Sequence, residues 1–195
     1  MRELEWDKKL KIDTCGRIDG HADEHHYPYE PTPYSVLERL AECEYISKED
    51  TVIDYGCGKG RVSFFLNHEV GCHTIGVEYD RRLYQKAEEN RNSYRKSQGI
   101  TFLCRNAEGF EVKDANTFYF FNPFSVETLK TVMGRIKASF YEIPRELKLF
   151  FYYPNDEYIS YLMTDYELSF CDEIDCQDLF EGKNSRERIL IFEMG

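Results

Sequence analysis

A chain of 195 residues with 42% hydrophobic side chains, 15 Tyr and 14 Phe can bury one sizeable core, which excludes a disordered or low-complexity polypeptide. Its formal net charge of −11 argues against duplex nucleic acid as a default partner, because phosphate binding requires a basic face. No apolar run approaches a membrane span, MRELEWDKKLKID lacks the apolar stretch of a secretory signal, and seven scattered cysteines contain no CxxC pair, so the expectation is a cytoplasmic protein with reduced thiols.

In chain order, residues 1–31 read as an N-terminal extension or lid, and 32–195 as the core of one domain. HADEHH (21–26) offers metal-ligating residue types, but no second cluster of suitable spacing accompanies it, so no metal site is expected. TPYSVLERLAEC (32–43) reads as a helix with Thr32 capping and Pro33 in the first turn. TVIDY (51–55) is a buried strand, followed by a helix within 59–69. HTIGVE (73–78) is the second strand. The helix after it, 80–97, carries mixed charges that form a solvated face. ITFLC (100–104) and NTFYFF (116–121) are strands three and four, with a helix from about Ser125 to Phe140 after them. LKLFFYY (147–153) is the fifth strand and NDEYISYLMT a short helix. The tail holds two more strands, 166–175 and 186–194, joined by QDLFEGKNS without a helical period, so they should pair antiparallel. The predicted fold is α/β: a doubly wound, mostly parallel seven-stranded sheet with a reversed final strand and helices on both faces.

Gly56, Gly58 and Gly60 stand at alternate positions directly after the first strand, where a doubly wound sheet presents its ligand. One glycine would satisfy a tight turn; three suggest that a ligand approaches the backbone closely. Glu78 ends the second strand, where an acid accepts hydrogen bonds from ribose hydroxyls. The G-C-G-K-G spacing departs from the G-x-G-x-x-G of dinucleotide sites, and Asp54 in the same turn would repel a pyrophosphate but face an ammonium group. That combination favours S-adenosylmethionine over a nicotinamide cofactor. Cys57 and Cys104, inside strand-associated motifs, read as small buried hydrophobes.

Over about residues 30–195 the chain resembles the class I S-adenosylmethionine-dependent methyltransferases. Asp54-Tyr55-Gly56-Cys57-Gly58-Lys59-Gly60 matches the D/E-x-G-x-G-x-G loop of that family, and Glu78, with Tyr79 beside it, matches its ribose-binding acid. The resemblance implies that Asn106 and Ala107 contact adenine, and that Tyr29, Thr32 and Tyr34 in YEPTPY lie over the cofactor. At the end of the fourth strand, Asn122-Pro123-Phe124 is similar to the N/D-P-P-Y/F of amino-directed members. There the amide oxygen holds the target nitrogen and the aromatic ring stacks on a planar substrate. The second proline is missing here, and the plainer alternative is a strand end with Asn capping, Pro starting a helix and Phe packing. The expected activity is transfer of a methyl group from S-adenosylmethionine to an amine nitrogen of an acceptor that is a small molecule, a protein or an RNA; the alternative is a non-catalytic module that binds the same cofactor.

Overall fold

The computed structural model describes residues 2–16 and 29–195. HADEHH lies outside the described residues. The strands are β1 (Thr51–Tyr55), β2 (His73–Glu78), β3 (Ile100–Cys104), β4 (Thr117–Phe120), β5 (Leu147–Tyr152), β6 (Ser169–Asp175) and β7 (Arg188–Met194). They form one sheet in the order β3-β2-β1-β4-β5-β7-β6, with β7 antiparallel to both its neighbours and the other pairings parallel. The predicted sheet and its reversed final strand are therefore present.

Among the described residues six α-helices cover the sheet: α1 (Arg2–Leu10), α2 (Tyr34–Glu42), α3 (Arg61–Glu69), α4 (Arg81–Ser93), α5 (Val126–Glu142) and α6 (Asp156–Thr164). Strand side chains alternate between two cores, as a period of two requires. Val52, Tyr119, Phe150 and Ile191 pack with residues of α1 to α4 on one face; Ile53, Phe118, Phe151 and Leu190 pack with α5 and α6 on the other. Among the described residues no helix is long and apolar enough to cross a membrane.

Three helices start on side-chain caps: Asp80 accepts from the Arg82 amide at 2.7 Å, Ser125 from Thr128 at 3.4 Å and Asn155 from Tyr158 at 2.8 Å. Helix α2 differs from expectation. Thr32 does not cap it, because its hydroxyl is held by Tyr119 Oη at 3.0 Å; the free Tyr34 amide instead donates to Glu3 Oε1 of α1 at 3.0 Å. Helix α4 stops at Ser93 rather than 97, because Tyr94 turns to extended backbone and drops its ring against Phe64, centroids 5.3 Å apart. Its outer face is solvated as predicted, with Lys86–Glu89 and Arg91–Glu88 pairs one turn apart. Helix α1 was not anticipated; among the described side chains of RELEWDKKL only Asp7 and Leu10 are buried, too few apolar positions to show a period.

Candidate active site

A cleft of about 540 Å³ opens at the carboxyl ends of β1, β2 and β4. Of the residues singled out from sequence, Tyr29, Thr32, Asp54, Tyr55, Gly56, Cys57, Glu78, Tyr79, Asn106, Ala107, Asn122, Pro123 and Phe124 line it. Tyr34, Gly58 and Gly60 do not.

The glycines answer to the chain itself before any ligand. All three hold positive φ, +71° at Gly56, +55° at Gly58 and +89° at Gly60, where a side chain is strained. A β-carbon at Gly56 would come within 2.5 Å of Pro123 Cβ, and one at Gly60 within 2.5 Å of Phe102 Cζ. At Gly58 it would collide with the ring of Tyr29. The chain's own packing therefore requires glycine at all three positions: the atoms an added β-carbon would meet belong to protein side chains. Tyr29, which donates from Oη to the Thr14 carbonyl at 2.7 Å, lies on Gly58 and walls the cleft with Thr32.

Two buried acids meet at this loop. Glu78 accepts the Gly58 amide at 2.8 Å on one oxygen and the Asp80 amide at 2.7 Å on the other. Burial pushes its carboxyl up, and those amide hydrogen bonds pull it back. Asp54, 3% exposed, accepts from Ser63 Oγ at a long 3.3 Å and from the Ser63 backbone. Burial pushes its pKa up to about 7, Ser63 opposing and the Glu78 charge adding. Among the described residues neither carboxylate forms an ion pair. Cys57 is buried beside them, and the same burial raises its thiol further. Cys104, by contrast, is exposed at the end of edge strand β3, so its reading as a buried hydrophobe is corrected.

Asn106, just after β3, also lines the cleft. Its Oδ1 accepts the Glu108 amide at 2.9 Å and caps the short turn Ala107–Gly109, which uses one of that oxygen's two lone pairs.

The motif after β4 is arranged differently from its resemblance. Asn122 spans to the next strand: its Nδ2 donates to the Tyr153 carbonyl at 2.6 Å and its Oδ1 accepts the Asn155 amide at 3.2 Å. The amide oxygen is engaged within the chain, and the α5 cap is Ser125, not Asn122. Phe124 is 3% exposed, with its ring edge-on to Tyr55 and Phe120 and its carbonyl holding Tyr158 Oη at 2.7 Å. Most of its ring is enclosed by these neighbours. The ring available at this end of the cleft is Phe121, half-buried and packed on Tyr152 with centroids 4.7 Å apart. Strand alternation carries the signal: in FYFF, Phe118 and Phe120 share one face, so Phe121 turns to the other.

Tyr34 is corrected from a cofactor contact to a core residue. Its ring stacks on Trp6 at 5.6 Å and its hydroxyl donates to Asp7 Oδ1 at 2.6 Å. Sequence reasoning also passed over Arg61, a buried cation on the cleft wall. The one available signal was a charged residue at the first position of a helix, directly before the run Val62–Leu66 that the fold buries.

Residues 46–144 match a family model described as a methyltransferase domain. The chain belongs to that family. The order and direction of its strands make it a class I, S-adenosylmethionine-dependent methyltransferase domain. A protein-lysine N-methyltransferase of Saccharolobus islandicus (strain REY15A) is 49% identical over 66 residues, 33% of this chain and 41% of that relative's length. An RNA methyltransferase from Salinibacter ruber, in complex with S-adenosyl-L-homocysteine, shares the fold with a TM-score of 0.55 at 18% identity, over 85% of this chain and 92% of that one. A TehB-like SAM-dependent methyltransferase from Corynebacterium glutamicum gives 0.57 at 14% identity, over 82% and 88%.

The cleft of this methyltransferase domain suits that family's cofactor. Asp54 is a buried carboxyl group with no ion pair among the described residues, so a cationic ligand end would offset its desolvation. Each Glu78 oxygen keeps a lone pair after taking its backbone amide, which suits the two hydroxyl donors of a ribose. A pyrophosphate would add negative charge beside two acids.

Proposed function

We propose that this domain methylates the side-chain amine of lysine in a protein acceptor, with S-adenosylmethionine as donor. The observation that carries the donor assignment is the buried pair Asp54 and Glu78 beside the glycine loop, two carboxyl groups lining the cleft that form no ion pair among the described residues. In this reading Glu78 holds the ribose, Asp54 faces the ammonium of the amino-acid end, and Tyr79, Asn106 and Ala107 border the adenine. Gly56 and Cys57 form the floor with Tyr55, and Tyr29 and Thr32 cover it. Bound there, the donor supplies an activated methyl on a sulfonium. The chain's task is alignment: transfer removes positive charge from sulfur, and holding a neutral amine in line supplies most of what is needed. Phe121, set by the Asn122–Pro123 turn, bounds the end of the cleft left for the acceptor.

The lysine assignment is supported by the resemblance to the lysine-directed relative and by the acidic chain. A net charge of −11 favours cationic protein segments over RNA, whose phosphates it repels. Seven free cysteines are compatible with a cytoplasmic setting. The test is incubation with methyl-labelled donor and a fractionated lysate, then acid hydrolysis of the labelled material. The expected product is methyl-lysine in the protein fraction. Label confined to RNA or to small molecules would overturn the acceptor assignment and leave the donor assignment standing.

A further inference from the structure

Arg61 begins α3 and is 3% exposed, at the helix end where a cation is least favoured by the backbone dipole. Its guanidinium is nonetheless surrounded by the N-terminal segment. Nε donates to Thr14 Oγ1 at 2.8 Å, Nη1 to the Thr32 carbonyl at 3.1 Å and to the Glu3 carboxylate, and the ring of Tyr34 lies 4.3 Å from the guanidinium carbon. A second buried charge repeats the pattern. Asp7 accepts from the Thr14 amide and hydroxyl, both at 2.6 Å, and from the Tyr34 hydroxyl at 2.6 Å. Lys59, in the glycine loop, donates to the Cys15 carbonyl at 2.6 Å. Through these contacts α1 and residues 12–16 are tied to the loop, and through Thr14 and Thr32 to the two residues that cover it.

We propose that Arg61 is a positioning residue for the donor: by clamping Thr32 and Thr14 it holds Tyr29 and Thr32 over the glycine loop, and α1 is the part of the clamp that supplies Glu3 and Asp7. The inference rests on the reading that the cleft takes S-adenosylmethionine. Donor binding and docking of α1 are then linked, although α1 does not line the cleft, and by reciprocity each strengthens the other.

The experiment measures the affinity of S-adenosylmethionine and of 5′-methylthioadenosine for the wild type, Arg61→Lys and Glu3→Gln, with hydrogen exchange at the Tyr34 amide, which donates to Glu3. Lys keeps the charge but cannot reach Thr14, Thr32 and Glu3 together. Glu3→Gln breaks the pair at its more exposed partner and keeps the shape. Expected are affinities lower by about tenfold in Arg61→Lys, within the usual range of coupling between sites, and by a smaller factor of about three in Glu3→Gln, equally for both ligands. Donor should also slow exchange at the Tyr34 amide in the wild type. Folded variants with affinities unchanged within about a factor of two would overturn the proposal. So would a loss confined to S-adenosylmethionine, since that would make Arg61 a direct partner of the amino-acid end that the thioadenosine lacks. No binding of either ligand by the wild type would instead remove the donor reading itself.

Discussion

Asn122 donates through its side-chain amide to the main-chain carbonyl of Tyr153 at 2.6 Å, and both residues hold left-handed backbone, φ 39° and 51°. Neither is glycine. Two strained positions at the carboxyl ends of adjacent parallel strands, bonded to each other beside the cleft, are the kind of backbone strain that concentrates at functional sites.

Asn122→Ala removes both side-chain bonds and places a residue less tolerant of positive φ in the turn, so stability should fall by about 2 kcal/mol. Asn122→Gly should lie between the two, since it relieves the backbone and loses the bonds. Asn122→Asp keeps an acceptor for Asn155 but sets a carboxylate against the Tyr153 carbonyl, and should be destabilised as well. Urea denaturation of the three variants checks the order; an Asp variant as stable as the wild type would contradict the bridging role. Because Asn122 shapes the acceptor end, Asn122→Ala should keep donor affinity within a few-fold and lower turnover by about a hundredfold, the scale of lost alignment.

Asp54 makes binding and stability respond to pH in opposite directions. Its pKa is about 7 when folded against 3.8 for an ordinary aspartate. Between those values the unfolded chain has released a proton that the folded protein retains, so stability without ligand falls as pH rises. Binding of a cationic donor favours the ionised form, so affinity should rise about tenfold from pH 6 to pH 8, the span over which a group near 7 ionises. Asp54→Asn should flatten both profiles, raise ligand-free stability at pH 8 by on the order of 2 kcal/mol, and weaken donor binding. Calorimetric titration and thermal melts across pH decide it; a variant that still shows the wild-type slopes would assign them elsewhere.

Glu78→Ala should weaken the donor by about 1.5 to 3 kcal/mol, through lost charge-assisted bonds to ribose. The same change strips the Gly58 and Asp80 amides of their acceptor, so the ligand-free protein should also melt earlier. Glu78→Gln retains one oxygen and should recover part of the stability while binding poorly. An affinity change below about twofold in the Ala variant would place the ribose at another residue.

Gly58→Ala should weaken donor binding by displacing Tyr29 and by straining a backbone held at φ +55°. Adding Tyr29→Ala removes the collision and leaves the strain, so the double variant should be more stable than the sum of the single losses implies. Additive losses in equilibrium unfolding would show that the ring and the glycine do not touch.

The strands, their alternation with helices and the reversed last strand were legible in the sequence because each is written in a local period or in the shortness of a connection. Asp54 and Glu78 were legible for a similar reason: a strand end in a doubly wound sheet is a defined place, and an acid there is visible without knowing its neighbours. What the three glycines make room for was not, since Pro123, Phe102 and Tyr29 reach them from distant parts of the chain. Nor was the fate of Tyr34, Phe124 and Asn122. Tyr34 belongs to the core because α1 lays Trp6 and Asp7 against it, Phe124 because Tyr55 and Phe120 enclose it, and Asn122 bonds to the end of β5 because β4 and β5 are neighbours in the sheet. A side chain's local pattern sets which face it leaves the backbone on; what meets it there is decided by long-range packing, which places partners tens of residues away within hydrogen-bonding distance.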